Sequence, residues 1–204
     1  MSDITGEEIE ELLKKSWVDF FKYYESEVQR HCEITNMSRA EASEEHWMVW
    51  NEHDLMFQLG RFFYKQLREK IPQDIEPHFD KFLSRSTFKD STLSEKLKEL
   101  KGRLGWVPKP DLIIAQETNL DHFLLCAEAK FFHYSVARYN REPHIVIKKD
   151  IDTLVAIKDL GIAERVVFML FDDYYCHRDQ EKYKEIMSIL AEAEKHKLTI
   201  LKHP

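Results

Sequence analysis

Glycine and proline are scarce in this chain of 204 residues, five and six respectively, and neither gathers into a Gly/Ser-rich or Pro-rich stretch. No linker, low-complexity tract or internal repeat divides it. The three cysteines, Cys32, Cys126 and Cys176, are odd in number and far apart. That spacing excludes a disulfide framework or a CxxC metal site and leaves reduced, buried thiols. No apolar run approaches membrane-spanning length, and the start, Met1-Ser-Asp-Ile-Thr-Gly-Glu-Glu, is acidic where a secretory signal needs a basic start and an apolar run. The expectation is a soluble, cytoplasmic protein with no membrane partner. A Gly-x-Ser-x-Gly elbow, a phosphate loop and a dinucleotide fingerprint are also missing, which argues against an ordinary α/β hydrolase.

What is present suffices for one α/β core: 43% of residues are apolar and 33% charged, so neither disulfides nor a structural metal is needed, and one domain over residues 1–204 is expected. The formal net charge of −7 speaks against a protein that coats nucleic acid nonspecifically, because such proteins carry a broad positive field. The charge is uneven. Residues 1–54 are rich in Glu and Asp, whereas Lys81, Arg85, Lys89, Lys96, Lys98, Lys101, Arg103 and Lys109 face only Asp90, Glu95 and Glu99 in their stretch, which makes a local basic face.

Periodicity orders the elements. Thr5 with Glu8 is a capping-box pattern, and Ile9, Leu12, Leu13, Trp17, Phe20, Phe21 and Tyr24 then recur at helical spacing, which predicts a helix to about His31. Ser38 and Glu41 repeat the capping box before a short helical segment reaching Trp50. From Asn51, the stripe Leu55, Met56, Leu59, Phe62, Phe63 and Leu67 marks a core-facing helix that Pro72 ends. Glu52 shares that stripe's face, so its carboxylate needs a partner or rests on the helix dipole. Ile75–Leu83 reads as extended and Ser91–Gly102 as a short basic helix. Asp111–Gln116 and His122–Lys130 read as strands of a hairpin turning near Asn119 and Leu120. Lys149–Gly161 reads as a helix with a glycine stop, Arg165–Phe171 as a buried strand, Asp179–His196 as a helix and Leu198–Leu201 as a last strand. The expected class is α/β, with a central mixed sheet flanked by helices.

The hairpin carries the chemistry. Strand alternation points Glu128 and Lys130 to one face with the Ala129 carbonyl between them, and pairing back from the turn brings Asp111 opposite Ala127 and Glu128, about 5 Å away. Neighbouring carboxylates repel, so they call for a hard divalent cation, Mg²⁺ or Mn²⁺, held by Asp111, Glu128 and the Ala129 carbonyl. Such an ion polarises a phosphodiester oxygen and acidifies a water, while Lys130 orients that water or stabilises developing negative charge.

Pro110-Asp111 followed by Glu128-Ala129-Lys130 after a short hairpin resembles the motif that names the PD-(D/E)xK nuclease superfamily. The resemblance spans about residues 50–172 and implies a restriction-endonuclease-like core. It implies metal-dependent hydrolysis of nucleic acid, DNA in the first instance, by Asp111, Glu128 and Lys130. It also implies that Glu52, on the helix preceding the sheet, serves as an auxiliary acid holding a second metal or a water. The family's following helix corresponds to Lys149–Leu160, whose Lys148 and Lys149, with Arg138 and Arg141 before them, are expected to contact phosphate; Asp150 beside them is given no catalytic role. The resemblance leaves unexplained the segment 1–48, with its acidic N-terminal helix, and the helix and strand of 178–204. They are expected to pack as accessories or to meet a partner, either a second copy in a homodimer or another protein on the acidic helix.

Blander readings stand beside these. Glu-x-Lys alone is a common surface pattern; an apolar strand before it and an Asp on the neighbouring strand raise it. His122, His133, His144 and His177 lack ligand spacing, and the aromatic run Phe131, Phe132, Tyr134 and Tyr139 suits core packing as well as base stacking. The competing function is a noncatalytic nuclease-fold module that binds nucleic acid or protein. Buried like charges kept together favour the enzyme.

Overall fold

Thr5 opens the first helix as a capping box requires: its N–H donates to the Glu8 carboxylate at 2.9 Å while the Glu8 N–H donates back to its hydroxyl at 3.3 Å. Helix α1 (Gly6–Thr35) runs about a turn beyond the expected His31, to Asn36 in the left-handed conformation, φ 58°, which an asparagine tolerates well. The computed structural model describes residues 4–44, 49, 51–70, 75–84, 92–116, 121–132, 143–172 and 180–202. Helix α2 (Arg39–Glu44) begins on the second capping box, with the Ser38 N–H donating to Glu41 at 2.7 Å. Helix α3 (Glu52–Lys70) is capped by the Asn51 side chain, which accepts the Asp54 N–H at 3.0 Å. The expected helix stop at Pro72 and the hairpin turn at 119–120 lie outside the described residues.

Strand β1 (Ile75–Phe79), helix α4 (Thr92–Leu104), strands β2 (Leu112–Gln116) and β3 (Phe123–Phe132), helix α5 (Pro143–Asp159), strand β4 (Ala163–Asp172), helix α6 (Gln180–Lys195) and strand β5 (Thr199–Lys202) follow. Helix α5 starts six residues ahead of the expected Lys149. Pro143 occupies its first position, where the missing N–H costs nothing. Gly161, at φ 59°, follows its end.

The sheet is mixed, in the order β1-β2-β3-β4-β5: β1, β2 and β3 pair antiparallel, and β3, β4 and β5 pair parallel. Its two faces are buried separately. Phe20, Leu55 and Phe63 of α1 and α3 cover Leu125, Ala127, Met169 and Phe171. Leu97, Ile151, Leu154 and Leu190 of α4, α5 and α6 cover Cys126, Phe168 and Leu170. Alternation along β3 therefore sends Ala127 and Ala129 to the first layer and Glu128 and Lys130 to the second.

Phe171 anchors the first layer, fully buried, with ring centroids 5.1–6.0 Å from Phe20, Phe21, Tyr24 and Phe131. Helix α1 is built into that layer and is tied to the far strand as well. Trp17 Nε1 donates to the Lys202 carbonyl at 3.3 Å, and the Thr199 hydroxyl donates to Glu10 at 2.7 Å. No described helix is long and apolar enough to cross a membrane.

Candidate functional site

The hairpin register pairs Leu112 with Ala127, Ile113 with Cys126 and Ile114 with Leu125. Asp111 sits one residue before β2 and so comes level with Glu128. Beyond Ala127, β3 continues to Phe132 with no β2 partner, paired only to β4. The notch in the sheet at this point lets side chains from both helical layers meet.

Pro110 explains why the ladder stops. Continuing the register by two residues sets Pro110 across from Ala129, and a proline has no N–H to give to the next rung. The Asp111 carboxylate takes up half of that missing rung: its Oδ2 accepts the Ala129 N–H at 2.7 Å. The Ala129 carbonyl gains no donor from that proline. Asp111 is also fixed from its other side, since its own carbonyl accepts the Asp80 N–H at 3.2 Å, and Asp80 in turn pairs with Lys109 at 3.2 Å.

Lys130 reaches a carboxylate from each layer. Its Nζ lies 3.1 Å from Glu52 Oε2, on the first turn of α3, and 2.9 Å from Asp150 Oδ2, on α5. Glu52 thus has the partner that its place on an apolar stripe demanded. Asp150 was given no role from sequence, yet it belongs to this cluster. It was legible in principle: on α5 it shares a face with Ile147, Ile151 and Leu154, all buried, and an acid on such a face needs a cation.

The electrostatics follow from four carboxylates around one ammonium. Burial pushes the Glu128 carboxyl well above the usual range; Asp111 and Asp150 push it further, and a side-chain hydrogen bond to Asp111 favours its protonated form. Burial likewise raises Glu52 and Asp150, with Lys130 offsetting only part of it. Burial works against the charged Lys130, but Asp150 and Glu52 outweigh it and hold its pKa above the ordinary lysine value. Lys130 is a fixed cation and not a proton acceptor at neutral pH.

The cluster has more acid than base: four carboxylates surround one ammonium, and a divalent cation beside Glu128 would supply the missing positive charge. Asp111, Glu128 and the Ala129 carbonyl are hard oxygen donors of the kind Mg²⁺ and Mn²⁺ take. Among the described residues, no three carboxylate, imidazole or thiol groups form a ligand cluster by themselves, so the fit is of two carboxylates and a carbonyl, with the remaining positions left to water or substrate.

The remaining candidates stand elsewhere or in other pairings. Lys148 is held by Asp152 at 2.8 Å, and Lys149 lies 4.7 Å over the Trp106 ring; Arg138 and Arg141 lie outside the described residues. His122 pairs with Glu164 at 2.7 Å and His144 with Glu185 at 3.1 Å, while His133, His177, Tyr134, Tyr139 and Cys176 lie outside the described residues. Phe131 and Phe132 are core residues, and burial pushes the Cys126 thiol up, away from reactivity. Compared with protein-family models, curated proteins and solved structures, the chain matches none.

Proposed function

We propose that this protein is a metal-dependent nuclease that hydrolyses phosphodiester bonds, of DNA in the first instance, with Asp111, Glu128 and Lys130 at the reacting centre. The observation that carries the reading is that Asp111, held by the Ala129 N–H, stands level with the buried Glu128 carboxylate beside the Lys130 ammonium, at the notch where β3 outruns β2. A buried carboxylate with a second acid level with it is costly unless a cation is part of its working state. The resemblance of Pro110-Asp111 and Glu128-Ala129-Lys130 to the PD-(D/E)xK motif, in an α/β setting, supports the same reading and a restriction-endonuclease-like core.

The division of labour follows from the contacts. Asp111 and Glu128, with the Ala129 carbonyl, would hold Mg²⁺ or Mn²⁺, which supplies Lewis-acid stabilisation of the phosphodiester and acidifies an attacking water. The Ala129 N–H orients Asp111. Glu52 and Asp150 position the Lys130 head between them, and its permanent charge stabilises the negative charge that develops on the phosphoryl oxygens. Glu52 and Asp150 act through Lys130 and are positioning residues.

One observation favours a noncatalytic module instead: two carboxylates already occupy the Lys130 ammonium. Calorimetric titration of Mn²⁺ into the wild type and the Asp111→Ala/Glu128→Ala variant, with plasmid and single-strand cleavage assays, separates the two. Metal binding and cutting lost together in the variant support the nuclease. A wild type that neither binds Mn²⁺ nor cuts leaves the module as the account.

A further inference from the structure

Resting on the nuclease reading, we propose that the groove between α3 and β1 binds single-stranded nucleic acid and leads it to Asp111. The groove encloses about 790 Å³ and has Asp111 at one end. From there it follows one face of α3 through His53, Phe57, Arg61, Tyr64, Lys65 and Arg68; positions 53, 57, 61 and 65, and likewise 57, 61, 64 and 68, recur every three or four residues and so stack along the helix. Fifteen residues at about 1.5 Å each make a path of ~22 Å, room for about six nucleotides at the ~3.4 Å spacing of stacked bases.

Both components of a single-strand site line this path. Phe57 is 70% exposed, an unusual solvent position for a phenyl ring, and Tyr64 and Phe79 are 38% and 36% exposed. The Tyr64 and Phe79 rings lie 6.3 Å apart on the groove wall. Gly60 permits this arrangement, since a Cβ there would stand 3.2 Å from the Phe79 ring. Arg61, Lys65 and Arg68 carry positive charge away from the acidic end, and among the described residues none of the three is in an ion pair. Asp80, the acid in the groove nearest Asp111, is neutralised by Lys109 at 3.2 Å, and His53 Nε2 lies 3.4 Å from its carboxylate. Polarity thus changes along the groove, from acids suited to a metal to three cations against one acid, Glu69, at the far end.

Accessible ring faces in a concave groove serve unpaired bases, because a duplex keeps its base faces stacked on each other. Arg61 donates only to the neutral Gln58, at 2.9 Å, and cations beside those rings that, among the described residues, are in no ion pair are suited to track a phosphate backbone. An apolar peptide would have no use for three of them. This assigns the substrate class to single strands or single-stranded ends, and it gives the acidic chain a local positive path that its net charge conceals.

The test is fluorescence anisotropy of labelled dT12 and of a matched 12-base-pair duplex with the full chain in EDTA, which reads binding without turnover. Phe57→Ala/Tyr64→Ala removes stacking and Arg61→Glu/Arg68→Glu reverses charge; thermal melting confirms that each variant folds. The expected result is dT12 bound at least about tenfold tighter than duplex, with each variant losing about tenfold or more and the charge variant showing a flatter salt dependence. Folded variants that bind dT12 as the wild type does, or a preference for duplex, overturn the proposal. If the wild type cuts substrate while the groove variants bind and cut normally, the groove assignment alone fails. If the wild type holds dT12 through the groove but neither binds Mn²⁺ nor cuts, the nuclease reading fails and the groove assignment stands.

Discussion

Asp111 accepts the Ala129 N–H at 2.7 Å, at the rung where Pro110 leaves the hairpin ladder without a backbone donor. One side chain thereby caps a strand and presents a carboxylate to Glu128. Structural and chemical roles are joined in it, so Asp111→Asn and Asp111→Ala should differ. The amide keeps an oxygen to accept the Ala129 N–H and should cost little stability. Alanine leaves a buried N–H unpaired, at about 1–3 kcal/mol. Both should lose Mn²⁺ binding and cleavage, read by calorimetry and by a plasmid assay.

Glu128 sets a pH dependence whose sign is unusual for a carboxylate. Its folded pKa is raised, so the metal-free native state binds more protons than the unfolded chain once the pH exceeds the unfolded value of about 4.3. Its contribution is fully present below that value and is lost as the pH rises through the folded pKa. Glu128→Gln should remove this dependence and stabilise the metal-free protein at neutral pH by about 1 kcal/mol, or ~2–4 °C in Tm. Denaturant titrations at pH 5 and pH 8 give the two slopes; equal pH dependence in variant and wild type contradicts the raised Glu128 carboxyl.

Lys130→Met leaves Glu52 and Asp150 facing each other without their cation. The expected loss is about 3 kcal/mol, at the low end for a broken buried pair, because the Glu52 side chain is 35% exposed. Adding Glu52→Gln and Asp150→Asn to Lys130→Met should restore most of that stability while activity stays absent. Urea unfolding of the single and triple variants measures it.

Asp150→Asn tests a residue that touches Lys130 and no proposed metal ligand. It should lower cleavage about 10–100-fold, as loss of an orienting partner does, while leaving Mn²⁺ affinity within a few-fold of wild type. A purely structural role would instead move stability and leave the rate of the folded fraction intact.

Phe171→Ala removes the ring that Phe20, Phe21, Tyr24 and Phe131 pack against. The cavity should cost about 3–5 kcal/mol, with β4 and α1 losing amide-exchange protection together.

The elements and the Asp111–Glu128–Lys130 grouping were legible because they rest on local signals: capping boxes at Thr5 and Ser38, the glycine at 161, the alternation in β3. Asp150 was obscured by Lys148 and Lys149 beside it, which made the segment read as basic. Its relevance depends on α5 crossing the sheet at the β3 notch, a contact no local pattern encodes. The groove was obscured differently. The outward face of α3 reads as an ordinary solvated stripe of Lys65, Arg68 and Lys70, and only Phe57, apolar and off the core stripe, departs from it. Its companion Phe79 arrives from another element.

The bond from Thr199 to Glu10 joins positions 189 residues apart, and it has a temporal meaning. A chain emerging from a ribosome at about 5–20 residues per second makes α1 first and then waits roughly 10 to 40 s for its far strand to exist. Until β4 brings Phe171 late in that interval, the aromatic face of α1 is a hydrophobic surface without its final cover, and the newborn chain depends on whatever shields it.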